Sequence, residues 1–321
     1  MVERTLTVQV ARIARQTPEI LSFELTHPAG RPLPGYQAGA HIDVHMPGGF
    51  TRQYSLARDA GTEDGASSYL IGVKRESTSR GGSHSMHMRV REGDLLPVST
   101  PRNTFPIRQE AKHHILLAGG IGMTPLLAMA QALARTGAVF QLYLFVRSEE
   151  HLAFAETLRD PGIASRLRVH FDDGDASRKI NLRQLLAARK PGTHLYVCGP
   201  AGFMQAVRHA AAHWPDDVVH TEYFAAPADA AGGTGKPFVL QLKRRGITVP
   251  VAGDQTAVDA LHAFGIDVPV SCEQGLCGTC VVDAEGDGAE HRDFCLTRGE
   301  RAKKVALCCS RAKGDALAID L

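Results

Sequence analysis

The stretch ILLAGGIGMTPLLAMA, residues 115–130, runs from an apolar segment through Gly119, Gly120 and Gly122 into helically spaced residues that include Thr124 and Pro125. An apolar run, a glycine turn and a helix in immediate succession open a βαβ unit. The pattern repeats downstream in VFQLYLFVRS (139–148), EEHLAFAETLR (149–159), RLRVHFDD (166–173), NLRQLLAARK (181–190), THLYVCGP (193–200) and AGFMQAVRHAAAHW (201–214). Strands alternating with helices of this length predict an α/β domain with a parallel sheet over residues 108–224. Glycines at a strand end let a dinucleotide pyrophosphate approach the backbone, and the helix that follows offers free N–H groups to its charge. A second such turn, at Cys198, Gly199 and Pro200, would lie beside the first at the carboxyl edge of the sheet, where folds of this class bind ligands.

Toward the N-terminus the period changes. Short β-rich runs, LTVQVARIA (6–14), ILSFEL (20–25), HIDVHM (41–46), YSLA (54–57) and YLIGVKRE (69–76), alternate with Gly/Pro turns such as PAGRPLPG and MPGGF. This predicts an antiparallel β-barrel or sandwich over residues 1–107. Toward the C-terminus, AAPADAAGGTGK (225–236) has the composition of an exposed linker. After it, residues 237–321 hold an apparent hairpin, the helical TAVDALHAFG (256–265), a cysteine cluster and the β-like LAIDL, an α+β arrangement. Three unlike modules are expected, and 321 residues are enough for each to bury a core.

Composition narrows the function classes. Hydrophobic residues at 44% and charged residues at 22% fit a globular protein, and a net charge of +2 speaks against nucleic acid or a membrane surface as partner. The N-terminal residues contain no apolar run of signal-peptide length, and no stretch approaches a membrane span, so a cytoplasmic location is expected. Six of the seven cysteines, Cys272, Cys277, Cys280, Cys295, Cys308 and Cys309, crowd into the last 50 residues. In such a chain that points to metal or redox chemistry rather than disulfides.

VSCEQGLCGTC (270–280) sets Cys272, Cys277 and Cys280 in the C-x4-C-x2-C spacing of plant-type 2Fe-2S ferredoxins. Glycines between them permit the tight turns that wrap three thiolates around one cluster and aim amides at sulfur. Cys308 or Cys309 supplies the fourth ligand, with Cys308 preferred. Four thiolates also suit structural zinc, although paired C-x2-C knuckles are its commoner form. In the barrel, RQYSLA (52–57) and SRGGSHSMH (79–87) interrupt the apolar alternation: Arg52 could hold a phosphate bidentately, with Gly81, Gly82 and Ser83 adding donors at a helix start. His84, His87, His113 and His114 read as surface or turn residues.

Together these motifs resemble the phthalate dioxygenase reductase family, and the vanillate demethylase reductases within it, over essentially the whole chain. The resemblance rests on RxYS at Arg52, Tyr54 and Ser55, GGS at Gly81–Ser83, GGIGMTP at 119–125, CGP at 198–200, and a C-terminal ferredoxin domain with CCSRAK at 308–313. It implies FMN between an antiparallel barrel and a pyridine-nucleotide domain, NADH as donor, and a β-grasp 2Fe-2S domain. Carried over by residue, Arg52 and Gly81–Ser83 hold the FMN phosphate, and the RQYS segment with Gln53, Tyr54 and Ser55 lies along the ribityl chain and ring. Val73 and Lys74 line the ring, Thr124 sits near flavin and nicotinamide, Cys198 approaches the nicotinamide, and Phe224 neighbours the flavin. The family's fourth cluster ligand is the first position of CCSRA, which favours Cys308; adjacent strand residues point to opposite faces, so only one of the two would ligate.

A nicotinamide gives two electrons as hydride whereas a 2Fe-2S centre takes one, so the implied task is positioning cofactors, with no catalytic acid, base or nucleophile. The implied acceptor is a Rieske-type oxygenase acting on an aromatic acid or related small molecule, met by a monomeric reductase through Glu273, Gln274 and Leu276 of the cluster loop. A haem monooxygenase as acceptor, or a redox sensor without turnover, are the alternatives. FAD could replace FMN, and Arg147 and Ser148 could bind a 2′-phosphate if directed inward.

Overall fold

Period-two alternation along the N-terminal residues produces six antiparallel strands. They are β1 (Thr5–Arg15), β2 (Ile20–Thr26), β3 (His41–Met46), β4 (Phe50–Ser55), β5 (Tyr69–Lys74) and, after helix α1 (Gly82–Arg89), β6 (Leu95–Ser99). Their order is β4-β3-β6-β1-β2-β5, and a bridge between Leu56 and Ile71 draws the two edge strands together into a nearly closed barrel. Val8, Val10, Phe23, Leu25, Ile42, Val44, Tyr69, Ile71, Val73 and Val98 fill it, each fully buried; a buried aliphatic side chain of this size contributes about 1.5–3 kcal/mol. The structure, a computed structural model, describes all residues except 1–4, 62–63, 78–80, 179, 225–234, 271 and 298.

The second sheet contains β7 (His113–Gly119), β8 (Val139–Val146), β9 (Leu167–Phe171), β10 (Thr193–Cys198) and β11 (Val219–Glu222), with helices α2 (Met123–Arg135), α3 (Ala155–Leu158), α4 (Pro161–Ala164), α5 (Leu182–Leu185) and α6 (Ala201–Ala210) in the connections. All pairings are parallel, in the order β11-β10-β7-β8-β9. The chain leaves β7 in one direction and returns on its other side as β10, so the topological switch lies between these two strands. Helix α2 is apolar nearly all round because it is covered on both sides: its core cluster includes Leu116, Leu142 and Leu144 of the sheet and Ile20, Ala38 and Ala57 of the barrel segment. Barrel and parallel sheet form one compact unit, Met1–Phe224. His113 and His114 are on the central strand β7, not in a turn, and His114 is buried.

The second unit, Ala225–Leu321, pairs β12 (Phe238–Leu242) antiparallel with β13 (Ile247–Val251) and parallel with the last strand, β18 (Ala316–Ile319). Helix α7 (Ala257–Ala263) starts with a reciprocal Thr256–Asp259 capping box, which satisfies two otherwise free amides. Short ladders join β14 (Val281–Asp283) to β16 (Lys304–Ala306) and β15 (Ala289–Glu290) to β17 (Arg311–Ala312). Arg311, buried, donates to the carbonyls of Lys236, Ala252 and Gln255 and lies over the Phe238 ring. Most of the expected linker, residues 225–234, lies outside the described residues; Gly235, at its end, already donates its amide to Gly253. Among the described residues no helix is long and apolar enough to cross a membrane.

Candidate functional site

On the barrel, Arg52 of β4 and the start of α1 meet face to face. Gly81, at φ 101°, turns the chain into the helix, and a Cβ at Gly82 would sit 2.8 Å from Arg52 Cγ. Only glycine allows so close an approach of guanidinium stem and helix start. Ser83 Oγ accepts from the Glu76 amide, which leaves its own proton free to donate. A cation, the start of a helix and a hydroxyl thus converge on one spot, a donor set suited to a phosphate. Gln53, Tyr54 and Ser55 continue β4 from Arg52 toward the nucleotide domain, and burial raises the Tyr54 phenol well above its ordinary pKa. Val73 and Lys74 separate by strand alternation: the Val73 side chain is in the barrel core, leaving only its backbone to a ligand, while Lys74 faces a large cavity.

The two glycine turns of the parallel sheet are adjacent, because β7 and β10 pair up to Ala118 and Cys198. A Cβ at Gly122 would lie 2.3 Å from the Cys198 carbonyl oxygen, and one at Gly199 would lie 3.0 Å from Gly119 Cα. Gly119 and Pro200 line the cavity rim beside Gly120. Thr124, buried at the first turn of α2, donates to the Ile121 carbonyl at 3.1 Å; its methyl would be 2.9 Å from a Cβ at Gly72 of barrel strand β5. Thr124 therefore stands at the seam of barrel and nucleotide fold. Phe224, 42% exposed, is one of the few large apolar side chains left uncovered in this unit.

Glu222 was not singled out by sequence. It ends β11 in register with Cys198, and Ser55 Oγ donates to its Oε2 at 3.0 Å. Burial pushes this carboxyl up to about 8 against the lowering effect of the Ser55 bond. Burial, then the Glu222 charge, raises the Cys198 thiol well above its usual pKa. The sequence signal is faint: one acid in a four-residue strand, with partners revealed only by pairing. Beside these turns a cavity of about 750 Å³ runs along the carboxyl edge past Phe145, Arg147, His170, Asp172 and Phe203. Its size suits an extended nucleotide.

In the second unit the loop 272–280 curls around its own sulfurs. Amides of Gln274, Leu276 and Cys277 donate to Cys272 Sγ at 3.3–3.4 Å, that of Thr279 to Cys277 Sγ at 3.5 Å, and that of Gly275 to Cys308 Sγ at 3.2 Å. The thiols are gathered in pairs, Cys272 with Cys277 and Cys280 with Cys308. Thiols met by amides aimed at sulfur suit a 2Fe-2S cluster. Cys308 and Cys309 occupy a turn, residues 307–309, instead of a strand, so the opposite-face argument does not separate them. What distinguishes Cys308 is its contact with Cys280 and the Gly275 amide. Cys295 is half-buried beside Asp293, at 3.9 Å from Oδ2.

Comparison with known proteins agrees with this architecture. Residues 240–313 match the family profile of the 2Fe-2S iron-sulfur cluster binding domain, and residues 98–217 that of the dimethylamine monooxygenase subunit DmmA-like N-terminal domain. A vanillate O-demethylase oxidoreductase from a Pseudomonas species is 45% identical over 94% of this chain and 96% of its own length. The solved phthalate dioxygenase reductase, described as a modular structure for electron transfer from pyridine nucleotides to [2Fe-2S], is 38% identical with a TM-score of 0.72, covering 99% of this chain and 98% of that one. An intact type IV self-sufficient cytochrome P450 monooxygenase is 39% identical with a TM-score of 0.87; this chain is covered to 99% but spans only 41% of that protein. The chain thus belongs to the phthalate dioxygenase reductase family, oxygenase reductases that carry electrons from a pyridine nucleotide through a flavin to a 2Fe-2S cluster.

Proposed function

We propose that this protein takes electrons from NADH through FMN and a 2Fe-2S cluster held by Cys272, Cys277, Cys280 and Cys308, and delivers them, as a cytoplasmic monomer, to a Rieske-type oxygenase acting on an aromatic acid. The observation that carries the reading is near end-to-end identity with reductases named for vanillate demethylation and phthalate dioxygenation. A haem monooxygenase as acceptor is the second reading, favoured by the structural match to the self-sufficient fusion protein.

A flavin held here would supply the conversion of a two-electron hydride into the single electrons that a 2Fe-2S cluster takes. The residues of the chain bind and orient. Arg52 with Gly81, Gly82 and Ser83 forms a compact anion cradle that suits the terminal phosphate of FMN. Gln53, Tyr54 and Ser55 lead from it along β4, with Val73 backbone and Lys74 beside them and Phe224 as an aromatic cover. Gly119, Gly120, Gly122, Gly199 and Pro200 let the dinucleotide close on the backbone, with Thr124 and Cys198 at its nicotinamide end. Burial raises the pKa of both the Cys198 thiol and the Glu222 carboxyl, which disfavours a thiolate nucleophile and a carboxylate charge beside the second glycine turn.

Anaerobic titration with NADH, followed by acid release of the flavin, tests the chain of centres. Flavin and cluster absorption should bleach together and the released flavin should be FMN. Release of FAD, or colour that NADH does not bleach, would overturn the assignment. Cytochrome-type and Rieske-type oxygenases compared as acceptors decide the partner.

A further inference from the structure

We infer that the buried carboxylate of Asp293 is a positioning residue for the cysteine loop: it fixes the turn 293–296 against Gly275 and so aims two loop amides, one at Cys272 and one at Cys308. The inference rests on the reading of a 2Fe-2S cluster held by those thiols and adds a residue, outside the cysteine spacing, that sets their surroundings.

The Asp293 side chain is fully buried. Its Oδ2 accepts from the Leu296 amide at 2.9 Å and from Arg301 Nη2 at 3.5 Å, and its Oδ1 faces His291 Nδ1 at 3.3 Å. Arg301 Nη2 also donates to the Asp293 backbone carbonyl at 2.5 Å, while His291 Nε2 donates to the Arg301 carbonyl at 2.9 Å. A buried carboxylate is costly unless paired. Here the pairing closes a ring of three residues around the carboxylate, and that ring holds the backbone of the turn in one shape.

The turn presses on the cysteine loop at one residue. A Cβ at Gly275, whose φ is 72°, would lie 2.9 Å from Asp293 Cα and 2.6 Å from Cys309 Sγ, so the chains approach where no side chain fits. The Phe294 amide, next after Asp293, donates to the Gly275 carbonyl at 2.9 Å. That carbonyl shares a planar peptide group with the Leu276 amide, which donates to Cys272 Sγ at 3.3 Å. The Gly275 amide itself donates to Cys308 Sγ at 3.2 Å. Holding the oxygen end of a peptide plane fixes the direction of its N–H and polarises it. Hydrogen bonds to the sulfurs help to set the reduction potential of a cluster, so Asp293 bears on two sulfurs through one glycine.

The test compares Asp293→Ala with Asp293→Asn in the full flavin- and cluster-loaded chain. Both remove the same charge, but asparagine keeps an acceptor for the Leu296 amide and alanine does not, so a difference between them reports the turn and not the charge. Redox titration read by electron paramagnetic resonance gives the reduced-to-oxidised ratio of the cluster, and an iron chelator gives the rate of iron release. The alanine variant should release iron about tenfold faster than the asparagine variant. Its reduced-to-oxidised ratio at a fixed potential should be about tenfold lower, equivalent to about 59 mV for one electron. Thr256→Ala removes the cap of α7 and weakens the same unit elsewhere, and should leave both readings within about twofold of wild type. Should the alanine variant not fold, Asp293→Leu, which fills the space and offers no acceptor, takes its place in the comparison. Alanine and asparagine variants that agree within about twofold, or matching changes in Thr256→Ala, would overturn the positioning role and leave the cluster reading intact. A wild-type chain whose reduced form gives no 2Fe-2S signal would overturn the cluster reading itself.

Discussion

The nucleotide turns and the cysteine loop solve the same problem, bringing a charged cofactor against backbone amides, by opposite means. The cysteine loop is local: three thiols and most of the amides facing them lie within residues 272–280, and Cys308 joins them from a distance. The nucleotide site is assembled from segments 70 or more residues apart, and its fit depends on β7 and β10 pairing so that Gly122 abuts Cys198. A local site depends on ligand identity, whereas an assembled one depends on interatomic clearance.

The largest effect expected from that contrast is at the loop. Cys280→Ser should remove the cluster, with iron content near background and electron delivery to the oxygenase down by about 100-fold or more, while NADH-driven flavin reduction stays near normal; iron analysis and stopped-flow absorbance would check both. Cluster retention in this variant would break the comparison.

At the assembled site, Gly122→Ala places a Cβ 2.3 Å from the Cys198 carbonyl oxygen. Overpacking of this kind costs roughly 1–3 kcal/mol, so kcat/KM for NADH should fall about 10- to 100-fold, with iron content unchanged. A rate within about twofold of wild type, on the scale of 1.4 kcal/mol per tenfold, would show that the turns do not need to touch.

A smaller loss is expected at the half-buried Leu276 in the cluster loop. Leu276→Glu should slow reduction of the oxygenase by about 5- to 10-fold, in the range of a moderate interface contact, with NADH-to-ferricyanide turnover unaffected. Equal loss of both rates would remove the loop from the docking surface.

The smallest effect separates the parallel sheet through pH. Burial, then repulsion from His194 and His113, lowers the His114 imidazole to about 4, against 6.5 when free. The unfolded chain therefore binds a proton that the fold excludes: the stabilisation is complete above about pH 6.5 and is lost as pH falls toward 4. His114→Phe should flatten the fall of the melting midpoint over that window by a few degrees, on the order expected for one such group. His41 and His220, lowered likewise to about 4, would account for the slope that remains.

Much of the architecture was legible because its signals are contiguous. Period-two runs mark the barrel, the alternation of apolar runs and helices marks the parallel sheet, and C-x4-C-x2-C marks a loop that must fold on itself. The choice between Cys308 and Cys309 was open to error for a definable reason: the strand rule applied to residues that form a turn, where neighbouring side chains can face the same way. Val73 illustrates the converse, since its motif position suggests the ring while alternation sends its side chain into the core.

By itself, the sequence determined three modules in order, the glycine turns, the donor-rich segments at Arg52 and Gly81–Ser83, and the spacing of the thiols, because each is a property of neighbours along the chain. Only the tertiary structure decided that Ser55 bonds Glu222 across 167 positions, that Glu222 lies in register with Cys198, and that Arg147 and Asp172 end adjacent strands in one cavity. Those relations depend on which strands pair and at what register, and strand pairing is settled by the burial of whole sheet faces, which no short stretch of sequence encodes.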